Sequence, residues 1–546
     1  MTHELFEKLL VARGLSDPRA RAAFLTPDYE LLRHDPFLLP DMRLAVERIK
    51  QARDKQERVV IYGDYDIDGL TATSVLLEAF AAFGITADAF IPNRFVEGYG
   101  LNSHAIRSLA EAKADLIVSV DCGSLSFDEI ALANELHVDV IVTDHHSVAA
   151  TMPAAAAVIN PKRLDHQYPF IDLAGVGVAF KLVQALQTVM DGLPLGQEKW
   201  LLDLVAFGTV CDVVTLVDEN RANVHWGLQV MKKTRRPGMK ALMAVSGVGP
   251  DTVNTRALGF GLGPRLNAAG RLETARLGLD LLTTKDPKLA LELAQRLDQL
   301  NRDRRAEQDR IFQEALVQAK QFADDPVLVL SAPDWSHGII GIVAAKILEA
   351  EKKPTFVIQE LGEEAKGSAR AYGDFSAVEA INASRHHLIK GGGHTFAAGV
   401  TLRTDKIADF RASVNEFYRL QKFTDQLQHL DPKADVIVEL TGHLNEELLQ
   451  RLEQLEPFGH GNPSPIFQLN QVTVIQRREM GDAKQHLKLQ CSDSAGNYFS
   501  VIAFNKAAEI RAKPGDIADV WIELTLNEWQ GRRTVEGRLL KLVLPG

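Results

Sequence analysis

Apolar and polar positions fall in alternating blocks along the first part of the chain. Val59-Val60-Ile61-Tyr62 is a short β-branched run closed by Gly63, and helical spacing follows from about Thr71 to Phe83. Ala87–Ile91, Leu116–Val120 and Val138–Val142 repeat the strand texture, with helical patterns between them, one of them near 103–113. Strand, loop and helix thus alternate every 25 to 30 residues or so. Because the strands are apolar almost throughout, the pattern predicts a buried parallel sheet with helices on both faces. Upstream, residues 1–45 read as short helices punctuated by Asp17-Pro18, Thr26-Pro27 and Asp35-Pro36, followed by a polar helix over about 42–56.

A long amphipathic helix begins where Asp286 can cap Pro287, and nothing interrupts it before Asp324-Asp325-Pro326. Leu289, Leu293, Leu297, Leu300, Ile311 and Leu316 mark its apolar side. At 1.5 Å per residue it spans roughly 55 Å, more than one small domain buries, so it reads as a spacer between domains. A second α/β pattern opens at Val327–Leu330, continues through Thr355–Ile358 and ends near 420. From about 434 the texture changes to six short strands (434–440, 471–477, 486–491, 497–504, 517–526 and 533–543) with a helix at 444–455, which suggests a small barrel. The fold class is α/β. Its expected parts are an N-terminal helical segment (1–45), a parallel-sheet domain (46–285), a connecting helix (286–323), a smaller α/β domain (324–430) and a C-terminal β-barrel (431–546).

Composition narrows the class. The chain has 546 residues, 61 basic against 72 acidic, for a formal charge of −11. No stretch approaches the roughly 20 apolar residues of a membrane helix, and the N-terminus carries Glu4 and Glu7 where a secretory signal would be basic. Cys122, Cys211 and Cys491 lie far apart with no zinc spacing, which excludes a disulfide framework and points to the reducing cytoplasm. Acidity argues against a general nucleic-acid coat protein. It leaves a nuclease open, because carboxylates that hold metal count toward the charge.

The acids sit where chemistry would need them. Asp64, Asp66 and Asp68 follow the first strand, Asp121 follows 116–120, Asp144-His145-His146 follows 138–142, and Asp212 follows the apolar run Leu204–Val210. In an open parallel sheet the carboxyl ends of neighbouring strands meet at one crevice. A single Asp after a strand is ordinarily a helix cap, and a lone His pair is ordinarily structural. A whole set in phase with four strand ends, however, would repel itself without cations. Oxygen-rich ligands with an imidazole suit Mn2+ or Mg2+ rather than zinc, and this many carboxylates suit two ions about 3.5–4 Å apart, a geometry used on phosphate esters.

Asp64-Tyr65-Asp66-Ile67-Asp68-Gly69, Asp121-Cys122-Gly123 and Asp144-His145-His146 resemble the DHH phosphoesterase superfamily. Asn93-Arg94-Phe95-Val96-Glu97-Gly98-Tyr99-Gly100, Gly263-Pro264-Arg265-Leu266-Asn267-Ala268-Ala269-Gly270-Arg271 and Gly391-Gly392-Gly393-His394 narrow the resemblance to the RecJ family, bacterial single-strand-specific 5′→3′ DNA exonucleases. It runs from about residue 45 to the C-terminus. It implies a DHH catalytic domain, a DHHA1-type clamping domain and an OB-fold barrel.

The resemblance also implies roles. Asp66 and Asp121 would hold one ion, with Asp64 beside it as ligand or outer partner. Asp68, Asp121, His145 and Asp212 would hold a second, with Asp121 bridging. Asp144 would orient its neighbours and His146 would face the scissile phosphate. The ions would lower the pKa of a bridging water and neutralise charge on the phosphate and the leaving 3′-oxygen. Arg94, Ser368 and Arg370 would hold a terminal 5′-phosphate, Gly392 and Gly393 would offer backbone N–H groups, and His394 would approach the scissile phosphate across a cleft too narrow for a duplex. Arg265, Asn267 and Arg271 would contact the strand. Apart from the resemblance, Arg304 would contact backbone phosphates if the long helix walls the cleft, although a charged helix run is ordinarily a solvated face. The bland readings are solvated arginines at 94 and 370 and a β-turn at Gly391–Gly393.

In the barrel, Phe467, Tyr498, Phe499, Phe504 and Trp529 are available for base stacking, about half of them being needed for the core. Arg477, Arg478, Lys484, Lys488, Arg532 and Arg533 supply charge there, and Gly459-His460-Gly461-Asn462-Pro463 reads as a structural turn. The family implies single-stranded DNA as substrate, single-strand-binding protein and a RecQ-type helicase as partners, and roles in recombination and repair. A monomer is the default. Competing readings are a DHH phosphodiesterase of short oligonucleotides or cyclic dinucleotides and a non-catalytic strand-binding scaffold. The long helix and barrel favour a polymer, and the filled acidic positions favour catalysis.

Overall fold

The structure is a computed structural model that describes residues 2–94, 97–421, 423, 431–439, 441–529 and 531–544, with the Trp529 side chain outside the description. Phe95 and Val96 of the Asn93–Gly100 motif also lie outside it. Two compact units result. The first comprises Met1–Gly263, Leu282–Pro287 and Pro432–Gly546, the second Pro264–Leu281 and Lys288–Asp431. Among the described residues no helix is long and apolar enough to cross a membrane.

In the first unit, β1 (Val59–Gly63), β2 (Ala87–Phe90), β3 (Leu116–Val120), β4 (Asp139–Thr143) and β5 (Ala157–Ile159) form a sheet of order β2-β1-β3-β4-β5. All its pairings are parallel. β1 and β3 are buried at every position, as their uninterrupted apolar sequences require of a covered sheet. β5 had no counterpart in the sequence pattern: three residues are too few to give a periodic signal. Register is what matters for function. Gly63 pairs with Val120, Val120 with Thr143 and Thr143 with Ile159. The next residues, Asp64, Asp121, Asp144 and Asn160, therefore leave four adjacent strands at one level.

Two expectations change here. The helix after β1 is Ile67–Ala82, starting four residues early because Asp66 caps it, accepting from the amides of Asp68 and Gly69 at 2.9 and 3.2 Å. The apolar run before Asp212 is also a helix, Leu202–Cys211, not a strand. Its all-round apolar character marks a helix buried on every side, which periodicity cannot distinguish from a core strand.

The barrel belongs to the same unit. β12 (Phe467–Met480), β13 (His486–Ser492), β14 (Tyr498–Ala503), β16 (Arg532–Val543) and β15 (Ile517–Trp529) pair in that order, and β15 returns to β12, closing five strands. A short strand β11 (Val436–Val438) flanks β12. The first helix, Thr2–Ala12, seats Leu5, Phe6, Leu9 and Leu10 in the barrel core with Leu448, Leu452, Phe467 and Leu489. The N-terminal segment is thus in part a piece of the barrel, a contact across more than 400 residues that no local pattern announces.

The second unit has a sheet of order β6-β7-β8-β10-β9, built from β6 (Leu328–Ala332), β7 (Thr355–Leu361), β8 (Glu364–Arg370), β9 (Leu388–Gly393) and β10 (Ala397–Arg403). The long helix is Pro287–Ala319. It is more than a spacer: Ile311, Ala315 and Ala319 share a core with Leu328, Leu330, Trp335 and Val343. Leu289 of the expected apolar side is 42% exposed, while Ala290 and Ala294 are buried. Small residues let the helix approach its neighbours more closely than leucines would.

Candidate metal centre and strand-binding residues

Asp64, Asp68, Asp121, Asp144 and His145 are all buried. His145 Nε2 lies 3.1 Å from Asp121 Oδ1, 3.6 Å from Asp212 Oδ2 and 3.7 Å from Asp68 Oδ2. Asp64, Asp66 and Asp121 form one group whose donor atoms lie within 4.8 Å of one another; Asp68, His145 and Asp212 form a second, and Asp121, His145 and His146 a third. Asp212 reaches the site from a helix end, where its amide closes the last turn on Gly208 O at 2.8 Å.

The supports are specific. The helix Gly175–Gln187 aims its first amides at Asp68: Gly175 N donates to Oδ2 at 2.6 Å and Val176 N to Oδ1 at 2.8 Å. Gly175 is needed for a second reason, since a Cβ there would lie 2.7 Å from Asp121 Cβ and Oδ1. Asp121 itself is left-handed, with φ 62°, a strained conformation of the kind held at functional sites. Asp144 accepts from the amides of Ser124, His145 and His146 and pairs with His146 Nδ1 at 2.9 Å. Tyr99 Oη donates to Asp121 O at 3.1 Å and lies 3.0 Å from His146 Nδ1.

Electrostatics match a centre built for cations. Burial and repulsion from Asp66 push the Asp64 carboxyl up to about 8 and Asp68 up to about 7. Burial and the charges of Asp68 and Asp66 raise Asp212 to about 9. Asp121 rises well above the usual range, through burial and four surrounding carboxylates. Burial and His146 lower His145 to about 3, so that its imidazole is neutral, as a metal ligand must be. For Asp144, burial is outweighed by the hydrogen bond and charge of His146, and the carboxyl stays ionised. Among the described residues, Asp64 Oδ1, Asp121 Oδ1 and His145 Nε2 are buried with no hydrogen-bond partner. Buried acceptors left unpaired, in a set of carboxylate oxygens with one imidazole, fit hard divalent ions.

Arg94 lies over the Tyr65 ring, 4.2 Å from its centroid, and its charge acts on Asp64. In the second unit, Arg370 donates to Ser368 Oγ at 3.1 Å and Ala369 O at 2.7 Å, and burial lowers its pKa. The helix His337–Glu351 brings Gly341 against both: a Cβ there would lie 3.0 Å from Ser368 Oγ and 3.2 Å from Arg370 Nη2. Arg271 Nη1 donates to Gly338 O at 2.8 Å on that same helix. Arg265 pairs with Asp298 at 2.8 Å, and Asn267 sits two residues further along on the helix Gly263–Leu272. Gly391–Gly393 is no β-turn but the end of edge strand β9, with Gly392 paired to Gly399. His394 is exposed just beyond it. Arg304 is buried on the long helix, bonded to Asn301 and Gln308, and so is not part of a solvated face.

In the barrel, Phe467 and Phe499 are core, whereas Tyr498 and Phe504 are 65% and 55% exposed. Lys488 pairs with Glu536, Arg477 with Glu479 and Arg533 with Glu446 and Glu528. Arg478, Lys484 and Arg532 form no ion pair among the described residues. The sequence assigned no role to Tyr99, quoted only within its motif, or to Gly175-Val176, whose amides hold Asp68. A signal was there for Gly175-Val176: glycines opening an apolar helix, a common setting for an anion at a helix N-terminus.

A sheet edge that gathers six acids and two histidines, followed by a second α/β unit and a closed barrel, defines a metal-dependent phosphoesterase of the DHH class. Residues 58–209 match the DHH family N-terminal domain, 324–420 the DHHA1 domain and 435–540 the RecJ OB domain. The single-stranded-DNA-specific exonuclease RecJ of Bacillus subtilis is 37% identical over 97% of this chain, which spans 66% of that protein's length. RecJ of Haemophilus influenzae is 32% identical over 98% of this chain and 95% of its own. A crystal structure of RecJ from Thermus thermophilus in complex with Mn2+ superposes with a TM-score of 0.84 at 29% identity, covering 100% of this chain and 78% of that one. The same protein in complex with Mg2+ gives 0.78 at 28%, covering 100% and 77%. The chain belongs to the RecJ family of single-stranded-DNA-specific exonucleases.

Proposed function

We propose that the chain is a metal-dependent exonuclease that hydrolyses phosphodiester bonds of single-stranded DNA from the 5′ end and releases 5′-mononucleotides. The observation that carries this is the pair of donor groups, Asp64/Asp66/Asp121 and Asp68/His145/Asp212, joined where Asp121 and His145 approach to 3.1 Å. Asp66, Asp121 and Asp64 would hold one Mn2+ or Mg2+, and Asp68, Asp121, His145 and Asp212 the other. When bound, the ions supply charge neutralisation at the scissile phosphate and favour attack by water in line with the leaving oxygen. The chain's own groups do the positioning. The two amides of Gly175 and Val176 fix both oxygens of Asp68. Asp144 anchors His146, whose ring is half exposed beside Tyr99 and is the imidazole that meets the substrate phosphate.

Polarity is read by cations. In the first unit Arg94, held over Tyr65, suits a strand phosphate, and in the second Arg370 with Ser368 suits a terminal 5′-phosphate, the polarity role the family resemblance gives these residues. Gly392, Gly393, His394, Arg265, Asn267 and Arg271 would contact the strand, and the exposed Tyr498 and Phe504 would stack on bases. Family membership supports recombination and repair as the setting, with single-strand-binding protein and a RecQ-type helicase as partners. Three free cysteines agree with a cytoplasmic protein, for which we take the monomer as the working form.

The test is degradation of a 3′-labelled single strand bearing a 5′-phosphate, with Mn2+ or EDTA, by the wild type and Asp121→Ala. Labelled fragments that shorten progressively from the 5′ end, only with metal and only in the wild type, support the reading. An intact strand under every condition refutes it.

A further inference from the structure

The ion-facing residue Asp212 ends a helix, and the link that follows it, residues 213–217, is held from an unexpected side. Val213 is left-handed, with φ 61°, a conformation that a β-branched residue keeps only when its surroundings impose it. The restraint comes from the barrel's Phe458–Asn462 turn. Leu216 N donates to His460 O at 2.7 Å, and Thr255 Oγ1 donates to Phe458 O at 2.7 Å. The turn is itself rigid: Gly459 and Asn462 bridge each other, and Asn462 Nδ2 donates to Leu455 O and Pro457 O. Arg221, in the helix that follows the link, donates to Leu455 O at 3.1 Å and Glu456 O at 2.8 Å. Contact between turn and link is close at Gly459. A Cβ on Gly459 would lie 2.6 Å from Cδ1 and 3.2 Å from Cγ of Leu216, which is 2% exposed, so one side chain or the turn must shift.

We propose that this turn is a positioning element for the Asp212 carboxylate, so that the strand-binding barrel and the metal centre are mechanically joined. The proposal rests on the reading of Asp212 as an ion ligand. Residues 213–215 are all that separate Asp212 from the hydrogen-bonded Leu216. A shift of the turn therefore swings the helix end and moves the carboxylate away from His145, 3.6 Å from it. Pressing Gly459 against Leu216 should loosen metal binding without any change in a ligand.

Mn2+ binding to the full chain, measured by titration calorimetry beside thermal melting, tests this with Gly459→Ala, Leu216→Ala, the two combined, and Asp212→Asn. Gly459→Ala is expected to weaken Mn2+ binding about tenfold, the size of effect outer supports of a metal site have. Adding Leu216→Ala, which removes both clashing atoms, should restore it. Unchanged Mn2+ binding in Asp212→Asn would overturn the ligand reading itself. Weakened binding in Asp212→Asn with none in Gly459→Ala would overturn the positioning role alone. So would a loss in Gly459→Ala that the double variant fails to recover. Should Gly459→Ala not fold, Thr255→Val removes the donor to Phe458 O, and wild-type Mn2+ affinity in that variant would overturn the proposal.

Discussion

Gly175→Ala places one methyl group where the site has no room. Its Cβ would lie 2.7 Å from Asp121 Cβ and Oδ1 and 2.9 Å from Cγ, while the same residue's amide holds Asp68 at 2.6 Å. Carbon contacts settle near 3.5–4.0 Å, so about 1 Å of separation must be found between the helix start and Asp121. Overpacking of this kind costs about 1–3 kcal/mol, and alanine's better helix propensity returns up to about 1 kcal/mol. The net loss of stability is therefore about 0–3 kcal/mol, a shift of a few degrees in the melt of a chain this long. Activity should fall far more, because a 1 Å misplacement of a reacting group costs about 10²-fold in rate. Steady-state release of nucleotides from 5′-phosphorylated single-stranded DNA in saturating Mn2+ measures kcat, and thermal melting measures the fold. A cooperative melt within several degrees of the wild type with kcat down about 10²-fold is expected. A kcat within twofold of the wild type would refute the claim that Gly175 keeps Asp121 and Asp68 in place.

Asp121→Asn should abolish activity in Mn2+, yet in EDTA melt no lower than the wild type, because burial and four neighbouring carboxylates oppose the charge it removes; a clear drop in the EDTA melt would count against that account. Mn2+ at 100 times its Kd should stabilise the wild type by about 2.7 kcal/mol, reversibly with EDTA, and an unchanged melt would rule out the metal centre. In Asp493, burial is outweighed by hydrogen bonds from Asn497 and Thr441, which lower the carboxyl from 3.8 to about 2. A depressed acid stabilises the fold above its unfolded pKa and loses that contribution as pH falls from 3.8 toward 2, here about 1 kcal/mol after discounting for solvent screening. Urea unfolding at pH 5 and pH 3 should narrow the gap between the wild type and Asp493→Asn, and a constant gap would refute it. Arg370→Ala should raise KM about tenfold for a 5′-phosphorylated strand and leave a 5′-hydroxyl strand unaffected, the charge-assisted bond being worth roughly 1.5–3 kcal/mol; equal effects on both strands would remove Arg370 from 5′-end recognition.

What the sequence determined by itself was local or periodic. Apolar runs without polar interruption require a covered parallel sheet, and acids placed directly after such runs must emerge at its carboxyl edge. Asp64, Asp121 and Asp144 were legible for that reason, and motif resemblance added Arg94, Ser368 and Arg370. Tertiary structure decided the rest. Register brought Gly63, Val120 and Thr143 level, and no single strand encodes its neighbour's register. Asp212 arrives on a buried helix whose uniform apolar sequence reads equally well as a strand. Gly175 and Val176 lie more than 100 residues from Asp68, and Thr2–Ala12 packs on a barrel more than 400 residues away. Such contacts depend on which surfaces the folded chain happens to press together. A sequence records the chemistry each segment carries, and only packing settles which segments share a site.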